Sequence, residues 1–149
     1  MWYIGSMKLA DKAYLAGLID GEAYVGITRS ATGSAKGCKR GVAYRVMVSI
    51  AMTNRAAIDY ARFVSGVGTI YSRRRPTNPK HSQAWTWNVW SRQAVGLLRQ
   101  IEPYLKVKGN AARSCIEFQA AMRYPGKNGL SDEEWANRER LWKKTKVRV

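Results

Sequence analysis

Apolar and polar residues follow two periods along this chain, and the switches between them predict its elements. From Lys8 to Gly21 nearly every residue is apolar or small, interrupted by Asp11 and Lys12, and this run predicts a first helix. A helix without a polar face is expected to be buried on all sides. Tyr14, Leu15, Leu18 and Ile19 are large enough to anchor a core, whereas Ala13, Ala16 and Gly17 let a second backbone approach closely. Asp20 and Glu22 stand where the helix should end, at Gly21. Carboxylates beside a packed helix end are costly unless they are hydrogen-bonded or hold a cation.

Period two then takes over. In Tyr24–Ser30, Val25 and Ile27 share one face and Thr28 and Ser30 the other, before a Gly-, Ser- and Lys-rich loop from Ala31 to Gly41. Val42–Met52 alternates more clearly, with Tyr44, Val46, Val48 and Ile50 inward and Arg45, Met47 and Ser49 outward. Thr53-Asn54 reads as a helix cap, followed by a helix carrying Ile58, Ala61, Phe63 and Val64 that stops at Gly66. A second hairpin has arms Gly68–Arg73 and Ala84–Trp90, joined by a basic, Pro-containing loop. In its return arm Trp85, Trp87 and Val89 alternate with Thr86 and Asn88, which assigns the tryptophans to the core rather than to base stacking. Helical spacing returns over Arg92–Ile101 and Asn110–Met122. Ser131 and Glu134 form a capping box for a last helix, with Leu130 and Trp135 placed for the hydrophobic staple around it. The expected fold is α+β: one domain over residues 8–149, ordered α-β-β-α-β-β-α with further C-terminal helices, its antiparallel sheet backed by helices on one side. Residues 1–7 are set apart as an N-terminal extension or expression remnant. No repeat occurs.

Charge narrows the partner. The 149 residues carry a formal +16, an excess that repels itself in a compact chain and favours a polyanion. Basic residues gather over Arg29–Arg45, over Arg73–His81 and from Arg138 onward. Nucleic acid leads, ahead of an acidic membrane surface, and no apolar run approaches the roughly 20 residues of a spanning helix. Cys38 and Cys115 have no metal-type spacing and read as reduced thiols. With no signal or transit sequence, the expected location is intracellular, in cytoplasm or an organelle matrix.

Leu15-Ala16-Gly17-Leu18-Ile19-Asp20-Gly21-Glu22 resembles the signature of the LAGLIDADG homing endonucleases. Its first six letters match outright, Gly21-Glu22 is a common variant of the next two, and Ala23 departs where the family usually has glycine. Pro103-Tyr104-Leu105-Lys106-Val107-Lys108 resembles the family's PYLxxK element. The likeness spans roughly Lys8–Met122. It implies a site-specific double-strand DNA endonuclease that cuts a long pseudo-palindromic site across the minor groove and leaves short 3′ overhangs. By the same resemblance Glu22 and the Gly21 carbonyl hold Mg²⁺, with Mn²⁺ as a substitute, and Lys108 is the lysine near the reacting phosphate, with Lys106 its competitor. Some relatives carry a polar residue at the end of the second strand. Met52 stands at that place here, which leaves Asn54 or Arg55 to serve, and Arg55 is the candidate.

A single signature implies a homodimer, with Ala13, Ala16, Gly17 and Asp20 at its interface. A two-fold protein matches a two-fold site. Thr28, Ser30, Arg45, Ser49, Tyr71, Arg73, Thr86 and Asn88 are the candidates for base edges in the major groove, Arg45 and Arg73 for guanine. Lys36, Lys39, Arg40, Arg74, Arg75, Lys80 and His81 are assigned to phosphates. Two alternatives remain open: an RNA maturase assisting an intron to splice, and a non-catalytic DNA-binding regulator.

Overall fold

The structure is a computed structural model that describes residues 5–31, 41–73, 77–123 and 129–146. Helix α1 (Leu9–Glu22) runs without a loop into β1 (Ala23–Ala31). There follow β2 (Val42–Met52), α2 (Arg55–Ser65), β3 (Thr69–Ser72), β4 (Trp85–Trp90), α3 (Ser91–Ile101), a 3₁₀ turn at Glu102–Tyr104, α4 (Gly109–Ala120) and α5 (Asp132–Lys146). The two hairpins join through β2 and β4 into one antiparallel sheet of order β1-β2-β4-β3. Element order and fold class are those the residue pattern predicts.

The strand register divides the side chains as the alternation requires. Val25 faces Val48 and Val48 faces Val89, while Ile50 faces Trp87. All five are buried together with Leu15 and Ile19 of α1, Ile58 of α2, Leu97, Leu98 and Ile101 of α3, Phe118 of α4 and Leu141 of α5. The core therefore fills the space between one sheet face and the helices. Trp87 is fully buried, and its indole N–H donates to the Val67 carbonyl at 3.0 Å. Gly68 makes room for it. A Cβ there would lie 2.3 Å from Trp87 Nε1, and its φ of +88° also favours glycine.

The caps expected at two helices are present. Asn54 Oδ1 accepts from the Ala57 amide at 3.2 Å, and Gly66 closes α2 in the left-handed region. Ser131 and Glu134 exchange both capping-box bonds at the start of α5. Trp135 and Trp142 of α5 pack against Tyr44 of the sheet. Thr145 Oγ1 then accepts from the Ile27 amide at 3.3 Å, so α5 covers part of the free edge of β1.

Three expectations change. Helix α1 is not buried on all sides: Leu15, Ala16 and Ile19 enter the core, but Leu9 is 66% and Tyr14 46% exposed, and Ala10, Ala13, Gly17 and Gly21 are also open. Phe63, read as a core residue of α2, is 80% exposed. Met7, read as outside the fold, is buried, and its amide donates to Gln100 Oε1 at 3.1 Å. Cys115 is buried and unpaired, and burial pushes its thiol up to about 12. Cys38 lies outside the described residues.

Candidate active site and nucleic-acid interface

At the C-terminal end of α1 the two acids take opposite roles. Asp20 turns inward, where Oδ2 accepts from the Lys106 amide at 2.7 Å and Oδ1 from Val107 and Lys108 at 3.2 and 2.9 Å. Burial alone would raise its carboxyl, but those amides and the Lys108 charge together hold it below the ordinary 3.8. Glu22, two residues on, is exposed and has no hydrogen bond or ion pair among the described residues.

The loop fastened by Asp20 delivers Lys108. Its ammonium donates to the Ile19 carbonyl at 2.8 Å and to the Ala23 carbonyl, straddling Gly21 and Glu22. An ammonium has three N–H donors, so one remains for water or a phosphate oxygen. Burial lowers the lysine from 10.5, against the charges of Asp20 and Glu22, which raise it. Glu22 and Lys108, 86 residues apart in the sequence, thus belong to one site. Lys106 contributes its backbone, and its side chain is exposed.

Metal fit follows from the same carboxylate. Among the described residues no three His, Cys, Asp or Glu side chains gather. An exposed glutamate with no partner among the described residues still fits a hard cation, since Mg²⁺ usually takes one or two protein carboxylates and keeps its waters. Glu22, with the Gly21 carbonyl beside it, would hold such an ion.

Arg55 is not brought to Glu22 or Lys108 by any contact among the described residues. It lies with Cζ 4.1 Å from the Trp85 ring centroid and Nε 3.3 Å from Asp59 Oδ2. Met52 is paired with Trp85 on the helix-covered face, and the open-face residue at the end of β2 is Ala51, opposite Thr86.

The open face of the sheet carries the side chains expected there. Thr28 lies opposite Arg45, Ser30 opposite Ala43, Ser49 opposite Asn88, and Tyr71 opposite Thr86. Ser49 Oγ donates to Asn88 Oδ1 at 2.6 Å across the seam between the hairpins. Arg73, Lys80 and His81 are exposed beyond the second hairpin's strands. Lys36, Lys39, Arg40, Arg74 and Arg75 lie outside the described residues. Trp90 also faces this side, opposite Met47, and its indole lies beneath the Arg45 guanidinium. Alternation from Asn88 placed it there, but its apolar character hid it.

Of the residues expected at a subunit contact, Ala13 and Gly17 are exposed on α1. Ala16 and Asp20 face this chain's own interior instead. Ala16 is 1% exposed within this chain's own core, and both oxygens of Asp20 are committed to its own loop.

Several solved structures share the fold. The homing endonuclease I-CvuI, in complex with its target, matches with a TM-score of 0.73 at 17% identity, covering 95% of this chain and 89% of that one. The archaeal intron-encoded homing endonuclease I-Vdi141I, complexed with DNA, gives 0.65 at 18% identity over 91% and 84%. The I-LtrWI LAGLIDADG homing endonuclease bound to target DNA gives 0.66 at 20% identity, covering 100% of this chain and 48% of that one. No family model and no curated protein sequence matches the chain.

Proposed function

Proceeding from its LAGLIDADG homing-endonuclease fold, we propose that this chain is a site-specific double-strand DNA endonuclease, dependent on a divalent cation and active as a homodimer. The observation that carries the proposal is the convergence at the end of α1 of a tethered Lys108 and a Glu22 with no ion pair among the described residues, on a chain of formal charge +16. A bound Mg²⁺ supplies an activated water and neutralises charge on the phosphoryl oxygens. Glu22 and the Gly21 carbonyl would hold it. The third N–H of Lys108 would donate to a phosphate or leaving oxygen, where a held donor stabilises developing negative charge.

One carboxylate serves one strand, so cutting both strands calls for two copies. The exposed face of α1 supports that arrangement, because Leu9, Ala10, Ala13, Tyr14 and Gly17 present apolar and small side chains to solvent. Tyr14 packs edge-on against Tyr60 of α2, one turn before the exposed Phe63, which widens the same apolar surface. A two-fold dimer built there carries two open sheet faces and reads a pseudo-palindrome.

The test is Glu22→Gln against a randomised duplex library, with Mg²⁺ for cleavage and Ca²⁺ for binding. The wild-type protein is expected to select and cut a subset of duplexes, and the variant to bind the same subset with cleavage reduced at least about a thousandfold. A wild-type chain that neither binds nor cuts any duplex, or a variant that cuts normally, overturns the proposal.

A further inference from the structure

Four arginines lie over aromatic rings among the described residues: Arg29 on Trp142, Arg45 on Trp90, Arg55 on Trp85, and Arg138 on Phe118 and Trp135. Three also use guanidinium N–H groups within the chain. Arg29 Nε donates to Tyr44 Oη, Arg55 Nε to Asp59, and Arg138 Nη2 to the Arg123 carbonyl. Arg45 differs. Its Cζ stands 4.4 Å from the Trp90 ring centroid, and its guanidinium has no hydrogen bond or ion pair among the described residues. A guanidinium lying over a ring offers its flat face to the indole and keeps its N–H edge for another acceptor.

The platform beneath it stands at a strand end. Trp90 ends β4 opposite Met47 on the open face, and the chain turns at once into α3 through Ser91, whose φ of +50° no other non-glycine residue shares among those described. Arg45 sits on β2 two residues from Met47, and the Thr28 hydroxyl donates to its carbonyl at 3.2 Å. The backbone of Arg45 is thus held, and among the described residues its N–H edge is uncommitted. In the major groove guanine offers two adjacent acceptors, O6 and N7, whereas adenine puts a donor beside its N7, so two parallel N–H groups discriminate for guanine.

We propose that Trp90 is a positioning residue that fixes Arg45 for a bidentate guanine contact, holding one position of each half-site to guanine. The proposal rests on the endonuclease reading and deepens it from a face to a named specificity determinant.

The experiment sequences the duplexes retained in Ca²⁺ from a randomised library by the wild-type full chain and by Arg45→Ala, Trp90→Leu and Trp90→Phe. Wild type is expected to enrich a site with one strongly preferred guanine per half-site, and Arg45→Ala to reduce that preference about tenfold or more at that position alone. Trp90→Leu keeps apolar bulk without a π face, and should relax the same position about two- to fivefold. Trp90→Phe, which keeps a ring, should retain most of the preference. The salt dependence of binding should not change in either Trp90 variant, because no charge is removed. Unchanged guanine preference in Trp90→Leu, or equal relaxation at every position, overturns the role of Trp90 while leaving the endonuclease reading intact. A wild-type chain that enriches no sequence overturns both.

Discussion

Asp20 ties two distant parts of the chain together, and that tie responds to pH. Its carboxyl lies below the ordinary 3.8, since the amides of Lys106, Lys108 and Val107 outweigh the effect of burial. On the acidic side the unfolded chain therefore binds more protons than the folded one. The stability Asp20 contributes is complete above its unfolded value and is lost as pH falls through the lower folded value. The urea midpoint of the wild-type protein should drop more between about pH 5 and about pH 3 than that of Asp20→Asn. Equal drops would show that the three amide bonds contribute nothing to stability. That Lys108 would come near the end of α1 was legible because both segments lie in recognisable motifs. The inward turn of Asp20 was not, because its partners lie 86 to 88 residues away and no local period reports on them. Trp90 was hidden for the opposite reason, since an apolar ring reads as core even at an outward position.

Helix α1 shows what an apolar pattern can and cannot say at the level of an element. The pattern registers that every face avoids water, but it does not distinguish this chain's core from another chain's surface. Leu15 and Ile19 belong to the first, Leu9 and Tyr14 to neither within one chain. Gly17 allows a clean test, because a Cβ there meets nothing within 4 Å. Gly17→Leu therefore leaves the folded chain undisturbed, and should raise helix stability by about 0.5–1 kcal/mol. It also puts a bulky side chain on the exposed face. Sedimentation velocity should show monomers for the variant and dimers for the wild type, with the variant's circular dichroism spectrum still that of the folded chain. Dimers of undiminished affinity would place the subunit contact elsewhere.

Across the whole molecule the net charge is +16, and Lys and Arg outnumber Asp and Glu by 26 to 10. Lys80 is exposed, its amide capped by Asn78 Oδ1 at 3.0 Å. Lys80→Ala should weaken binding to all duplexes alike and lower the slope of log affinity against log salt by about one unit. A change in base preference instead would move Lys80 among the sequence readers. The two hairpins and their inward and outward faces could be read directly, because alternation is a local signal. The order β1-β2-β4-β3 could not, since the pairing of β2 with β4 joins segments separated by a whole helix and a strand.

That pairing has an evolutionary consequence through the bond between Ser49 and Asn88. Each hairpin could drift toward a new target by single changes if its readers acted alone. Where the two side chains hold each other's orientation, a change in one hairpin alters what the other presents. Retargeting should thus proceed freely at Ser30 or Tyr71, whereas at the seam it should require paired replacements, with intermediates that recognise neither the old site nor the new one.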